Sequence, residues 1–130
     1  MHYFKGMAIS TALLAVIPTA GLAQELIGSY VAHIGREDLY NSSGARLSEP
    51  WQIIRQDRAN FHRFGIRHAG DEWDSFFGDI DNRAAMERMI MNGSINPVAA
   101  RDIVSGGATV VVEVWGYGDT GNSVRVDVYR

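Results

Sequence analysis

The chain of 130 residues contains no cysteine, so no disulfide bond can support its fold. The same absence excludes a lipid anchor attached to a cysteine. No stretch reaches the roughly 20 consecutive apolar residues that a membrane-spanning helix needs. We therefore expect a domain whose core is held by packing alone, with no transmembrane segment.

Lysine is almost as scarce, since Lys5 is the only one. The rest of the chain has 11 arginines against 15 acidic residues, which gives it a net charge of −4. Proteins that bind nucleic acid or anionic membranes normally carry a basic excess, so neither partner is expected. A small anionic ligand or an envelope protein is the partner class that the charge leaves open.

The first 23 residues have the pattern of a cleavable signal peptide. Lys5 supplies positive charge at the start, and Met7–Ile17 is an apolar run too short to cross a bilayer. Gly21 and Ala23 are the small residues expected just before a cleavage site. The pattern predicts an exported, periplasmic protein whose mature chain, residues 24–130, forms a single domain.

Alternating valines near the end of the chain are the strongest strand signal. Valine occupies every second position of 110–114 and again of 124–128, which predicts a β-hairpin with its valines facing the core. Residues 116–122 are predicted to form the connecting loop. A first strand is predicted over 26–34, where apolar and β-forming residues are concentrated.

Two cross-strand pairs define the expected register of the hairpin. If Trp115 faces Ser123, then Glu113 lies opposite Arg125 on the outer face. Opposite charges in that position would help to fix the register.

Three helices are predicted between the strands. The first begins near Ser48–Pro50 and runs to about Phe64–Gly65, the second has Asp81 as its N-cap and ends at Asn92–Gly93, and the third has Asn96 as its N-cap and stops at Gly106–Gly107. Strands at both ends with helices between them predict an α+β fold: a small antiparallel sheet, formed by the N-terminal strand and the C-terminal hairpin, with about three helices packed on one face.

The hairpin loop contains two patterns that occur in catalytic proteins. Gly116–Gly121 matches the G-x-G-x-x-G dinucleotide fingerprint, but that chemistry needs a turn that leads from a strand into a helix, and here a strand follows. Asp119–Gly121 matches the catalytic triplet of aspartic proteases, but it lies between glycines near the end of the chain. We interpret both as hairpin-loop sequence and predict no cofactor.

A helical wheel of the first predicted helix places one carboxylate among apolar side chains. Ile53, Ile54, Phe61 and Phe64 form the apolar face, and Asp57 points into the middle of it. A carboxylate in a core is costly unless it is paired or hydrogen-bonded. We interpret Asp57 as a structural anchor that ties the helix to an arginine or to loop amides, and a role as base or ligand is the alternative.

The same wheel places Arg55, Arg58 and His62 together on a separate face. Residues 50–70 hold four Arg and two His, and residues 71–81 hold five acids and no base. The simplest interpretation is that the two blocks neutralise one another when the chain folds. We expect them to form exposed ion pairs, each of which contributes little to stability.

A metal-binding site is the alternative, more specific interpretation of this stretch. His62, His68, Asp71 and Asp74 offer mixed nitrogen and oxygen ligands, although their spacing matches no standard motif. The candidate polar site comprises Arg55, Asp57, Arg58, His62, His68, Asp71 and Asp74. None of them is predicted to be catalytic or a metal ligand in the preferred interpretation.

Two segments, Asp38–Gly44 (DLYNSSG) and Gln56–Gly65 (QDRANFHRFG), resemble segments of small exported proteobacterial proteins of uncharacterised function. The resemblance implies a periplasmic setting and brings no activity, cofactor or catalytic residue with it. The sequence therefore favours a non-catalytic periplasmic binding or envelope-associated module. A small hydrolase or metal-binding protein that uses the cluster around residues 55–74 is the alternative.

Overall fold

A three-stranded antiparallel sheet with helices on one face forms the part of the chain, residues 23–130, that the computed structural model describes. The signal peptide predicted over residues 1–23 lies, except for Ala23, outside the described residues. The strands are β1 (Glu25–His33), β2 (Thr109–Tyr117) and β3 (Thr120–Tyr129), and the α-helices are α1 (Pro50–Ala59), α2 (Ile80–Asn92) and α3 (Pro97–Ser105). A 3₁₀ helix, Arg36–Leu39, follows β1, and a π-helical turn, Asn60–Phe64, extends α1.

The sheet has the order β1-β2-β3, so the predicted α+β fold is confirmed. Trp115 pairs with Ser123 and Glu113 with Arg125, as the sequence predicts. Val110, Val112 and Val114 are buried, and the valines of 124–128 are half-buried against the same core. Period-two alternation therefore determined both the register and the buried face of the hairpin.

The predicted loop over 116–122 is wrong, because the strands continue almost to the tip of the hairpin. Gly118 and Asp119 alone connect Tyr117 to Thr120, and Gly118 has a positive φ of 58°. The register shifts between Trp115 and Gly116. A Cβ atom on Gly116 would overlap the carbonyl oxygen of Thr120. A bulge and a tight turn thus account for the glycine spacing.

The N-cap of α2 is Asp79, so the prediction of Asp81 is wrong by two residues. The Asp79 carboxylate accepts hydrogen bonds from the backbone N–H of Asp81 at 2.7 Å and of Asn82 at 3.2 Å. Asp81 lies inside the first turn of α2, whereas Asp79 precedes the helix and has its oxygen above the free N–H groups of that turn. The N-cap of α3 is Asn96, as predicted.

The helices cover the inner face of the sheet with apolar side chains. The fully buried core joins residues of the sheet to residues of all three helices: Tyr30, Ala32, Val110 and Val112 with Ile53, Ile54, Met86 and Ile103. In the described part of the chain, no helix has the length and apolar character needed to cross a membrane.

The first predicted helix has the expected extent, but its last turns differ from the helical wheel. After Ala59 the hydrogen bonds become π-helical, and Gly65, with φ 69°, caps the turn by donating its N–H to the carbonyl of Asn60. A wider turn shifts the following side chains around the axis. Phe61 is buried while Phe64 is 44% exposed, so the placement of Phe64 on the apolar face is wrong.

Candidate functional site

Arg58 lies at the centre of a buried charged network. Its Nε donates to Oδ2 of Asp57 at 2.8 Å, and its Nη1 donates to Oδ1 of Asp74 at 2.7 Å. Its guanidinium carbon lies 3.9 Å from the ring centre of Tyr30 and 4.5 Å from that of Phe61. The guanidinium is therefore paired with two carboxylates and stacked on aromatic faces, a combination suited to arginine.

The sequence predicted exposed ion pairs for the face that carries Arg58, and this is wrong for Arg58, because its side chain is completely buried. The loop that follows α1 covers this side of the helix. Nη1 of Arg58 also donates to the carbonyl oxygen of Glu72 at 3.0 Å. A helical wheel shows which side chains share a face, but it does not show which loop returns to bury them.

Asp74 fastens that loop to the network. Its Oδ1 lies 2.7 Å from Nε2 of His62, and its Oδ2 accepts the backbone N–H of Phe76 at 2.9 Å and of Phe77 at 2.6 Å. Burial acts to raise the pKa of Asp74, but hydrogen bonds from His62, Arg58 and Phe77 outweigh it, so the pKa lies below its ordinary value. Asp74 is thus the ionised counter-charge of Arg58.

The pKa of Asp57 is shifted in the opposite direction to that of Asp74. Its burial raises the pKa to about 8, although the charge of Arg58 acts to lower it. The nearby carboxylate of Asp38 raises it further. Asp57 is therefore buried as predicted, and it keeps its proton more readily than Asp74 does.

Asp38 is a buried carboxylate that the sequence reasoning missed. It lies at the N3 position of the 3₁₀ helix, where its Oδ2 accepts the backbone N–H of Gly35 at 3.0 Å. Its Oδ1 accepts Nδ2 of Asn60 at 2.8 Å. Asn60 follows Asp57 by three residues on the same side of the helix. That spacing does not indicate that Asp38, 22 residues earlier, is the partner of Asn60.

His68 lies beside Asp38 and extends to the surface. Its Nε2 is 2.8 Å from Oε1 of Glu37, and its Nδ1 is 3.6 Å from one carboxylate oxygen of Asp38 and 3.6 Å from one of Asp71. The Asp71 oxygens accept the backbone N–H groups of His33 and His68, both at 2.8 Å. Asp71 therefore ties the loop after α1 to the end of β1.

The structure divides the seven predicted site residues into three sets. Asp57, Arg58, His62 and Asp74 form the Arg58 network, and His68 and Asp71 belong to the neighbouring cluster around Asp38. Arg55 lies apart, paired with Glu87 at 2.6 Å. The expected pairing of the basic block with the acidic block is present at Arg58–Asp74 and His62–Asp74, but it is buried where exposed pairs were expected.

An open groove runs past this cluster, between the 3₁₀ helix and the end of the first helix. It has a volume of about 720 Å³. It is lined by residues of the 3₁₀ helix and the segment after it, Arg36, Glu37, Tyr40, Asn41 and Ser42, and by residues of α1, the turn that extends it and the segment just after that turn, Gln56, Asn60, Phe64 and Ile66. We call it the Tyr40 groove. The guanidinium carbons of Arg36 and Arg46 lie 5.8 Å and 5.9 Å from the centre of the Tyr40 ring.

A smaller cavity of about 200 Å³ lies between α2 and the hairpin turn. Asp119, Thr120 and Gly121 line it beside the apolar side chains of Met86 and Met89. Asp119 belongs to the turn of the hairpin, as the interpretation as loop sequence predicted, whereas Thr120 and Gly121 belong to β3.

No family model, no curated protein and no solved structure matches this chain. The function is therefore inferred from the geometry of the network and of the groove.

Proposed function

We propose that this protein is a non-catalytic binding module of the cell envelope, and that the Tyr40 groove binds a small organic acid. The observation that carries the proposal is the contrast between a sealed charged network and an open groove of ligand size. Ligand pockets generally have volumes of about 300–1,000 Å³, and the groove has about 720 Å³.

Burial of the charged network argues against catalysis. Asp57, Arg58 and Asp74 are each 6% exposed or less, and their oxygens and nitrogens are directed at one another and at backbone groups. A general acid or base must lie within hydrogen-bond reach of the substrate proton that it transfers. These three side chains are better placed to fix the loop after α1 than to contact a substrate.

The lining of the groove favours an acid with an apolar body. Arg36 is exposed and forms no ion pair within 4.0 Å with any residue that the structure describes. Phe64 and Ile66, which also line the groove, are 44% and 36% exposed. A carboxylate that pairs with Arg36 would leave the rest of the ligand against these two side chains.

A binding experiment with 3-phenylpropionate as the probe tests this proposal. Nuclear magnetic resonance titration of the purified domain should shift the backbone signals of residues 36–42 and 56–66. The uncharged 3-phenylpropionamide should bind about 10-fold more weakly, and Arg36→Gln should weaken binding of the acid by a similar factor. Arg101→Gln, on the exposed surface of α3, is the matched control and should bind like the parent.

Signal shifts confined to residues outside the groove, or equal binding by Arg36→Gln and the parent, would contradict the proposed ligand class.

The proposed location rests on the signal-peptide pattern and can be tested separately. Mass spectrometry of the exported fraction should find a chain that begins at or near Gln24. An exported chain with an intact Met1 would contradict cleavage.

A further inference from the structure

We propose that Asp38, Asp57 and His68 form a binding site for one divalent transition-metal ion of the Zn²⁺ type. One carboxylate oxygen from each aspartate and one ring nitrogen of His68 lie within 4.8 Å of one another. These residues come from the 3₁₀ helix, from α1 and from the loop after the π-helical turn. The proposal is independent of the ligand proposed for the Tyr40 groove.

The hydrogen bond between His68 and Glu37 prepares the ring for metal binding. A carboxylate can only accept, so the 2.8 Å contact with Glu37 places the proton of the neutral ring on Nε2. In this neutral form Nδ1 carries a lone pair, and the buried atom has no hydrogen-bond partner among the described residues. Metal-bound histidines almost always donate their other ring N–H to a carboxylate, a carbonyl or water.

The distance from Nδ1 of His68 to Oδ2 of Asp38 fits two ligands of one ion. At 3.6 Å it is too long for a hydrogen bond. Zn²⁺ bonds to nitrogen and oxygen of about 2.0–2.2 Å place two tetrahedral ligand atoms roughly 3.4 Å apart. A lone pair that faces a carboxylate oxygen at this distance is repelled unless a cation or a proton lies between them.

Buried carboxyl groups around the three residues favour a cation. The side chains of Asp38, Asp57 and Asp71 are each 2% exposed or less. Arg58 is paired with Asp57, but it is shared with Asp74. Carboxylates out of contact with water need a proton or a cation, and a metal ion can take the place of the proton.

The mixture of ligands selects the class of ion. One imidazole nitrogen with two carboxylate oxygens suits Zn²⁺ and its transition-metal neighbours. Ca²⁺ and Mg²⁺ prefer shells made of oxygen, with six or more ligands for Ca²⁺. With three protein ligands, solvent would supply the fourth.

Calorimetric titration of the chelator-treated protein with ZnCl₂ at about pH 7.5 tests the site. The parent should bind one ion per chain with saturation. His68→Gln should lower the affinity by roughly 100-fold, and Glu37→Gln, which removes the carboxylate behind the ring, by roughly 10-fold. His62→Gln is the matched control, because His62 also contacts an aspartate but lies outside the trio, and it should bind like the parent.

The chosen variants keep the test informative, since His68 and Glu37 extend to the surface with side-chain exposures of 19% and 55%. Substitution of Asp38 or Asp57 could instead unfold the core. As a second measurement, ¹⁵N spectra of the histidine rings should show Zn²⁺ shifting Nδ1 of His68 while Nε2 keeps its proton.

Four results would overturn the proposal. They are no saturable binding by the parent, unchanged binding by His68→Gln, an equal loss in His62→Gln, and a His68 ring that is protonated on both nitrogens and does not respond to Zn²⁺.

Discussion

Arg58 follows Asp57 directly in α1, yet both side chains are buried, and Nε of Arg58 donates to Oδ2 of Asp57 at 2.8 Å. Consecutive residues of a helix point about 100° apart, so both can be buried only where the helix is covered on more than one side. The sheet covers one side of α1 and the loop that carries Asp74 covers another. The pair therefore marks the place where three parts of the chain meet.

We expect Arg58→Ala to be among the most destabilising substitutions in the domain. Loss of the guanidinium leaves the ionised Asp74 buried without its charged partner, and removal of one partner of a buried pair generally costs about 3–5 kcal/mol. Urea unfolding should show that Arg58→Ala lowers the free energy of unfolding by that amount. Arg55→Ala is the matched control, because the partner of Arg55, Glu87, is near the surface. This variant should lower the free energy of unfolding by at most about 1 kcal/mol. Similar losses for the two variants would contradict the central role of Arg58.

Asp57 is expected to act as an anchor of the fold. Asp57→Ala should destabilise by roughly 2–4 kcal/mol, because it leaves Nε of Arg58 buried without an acceptor. Asp57→Asn should cost less, since the amide oxygen can accept the same hydrogen bond and Asp74 still balances the charge. Denaturant melts of both variants near neutral pH measure the difference. An alanine variant as stable as the parent would refute the anchor role.

These residues also show how far the sequence could predict the site. The burial of Asp57 was predictable because it follows from helical phase, a local property. The burial of Arg58 was not, because it depends on where the loop of Asp74 returns, sixteen residues later. Asp38 lies in a short 3₁₀ helix without a periodic pattern, so no local signal indicated its contact with Asn60. The Glu113–Arg125 pair was predictable because two alternating strands joined by a short connection allow few registers.

The glycines of the hairpin should differ in their tolerance of side chains. A Cβ atom on Gly116 would overlap the backbone of Thr120, so Gly116→Ala should destabilise by about 2 kcal/mol or more. Gly118 has open space around it, and asparagine tolerates its positive φ. Gly118→Asn should therefore change the free energy of unfolding by less than about 1 kcal/mol. Equal losses of unfolding free energy for the two variants, in thermal or urea melts, would contradict the close approach of Gly116 to the backbone of Thr120.

The last prediction concerns the dependence of stability on pH. Burial raises the pKa of Asp57 from 3.8 to about 8, so between these values the folded chain keeps a proton that the unfolded chain has lost. Unfolding then releases a proton, and the contribution of Asp57 to stability falls as pH rises, by on the order of 1 kcal/mol per pH unit, until it levels off above about pH 8.

Asp57→Asn isolates this effect, because its amide stays neutral while the other titrating groups remain in both proteins. Urea melts of the parent and the variant, with a chelator present, should be compared from about pH 5 to about pH 8. The stability of the asparagine variant relative to the parent should increase steadily across this range, since only the parent holds a carboxyl that resists ionisation. Parallel pH profiles would mean that Asp57 has an ordinary pKa in the folded chain. A variant that becomes less stable relative to the parent as pH rises would mean that the fold favours the ionised carboxylate, with Arg58 outweighing burial.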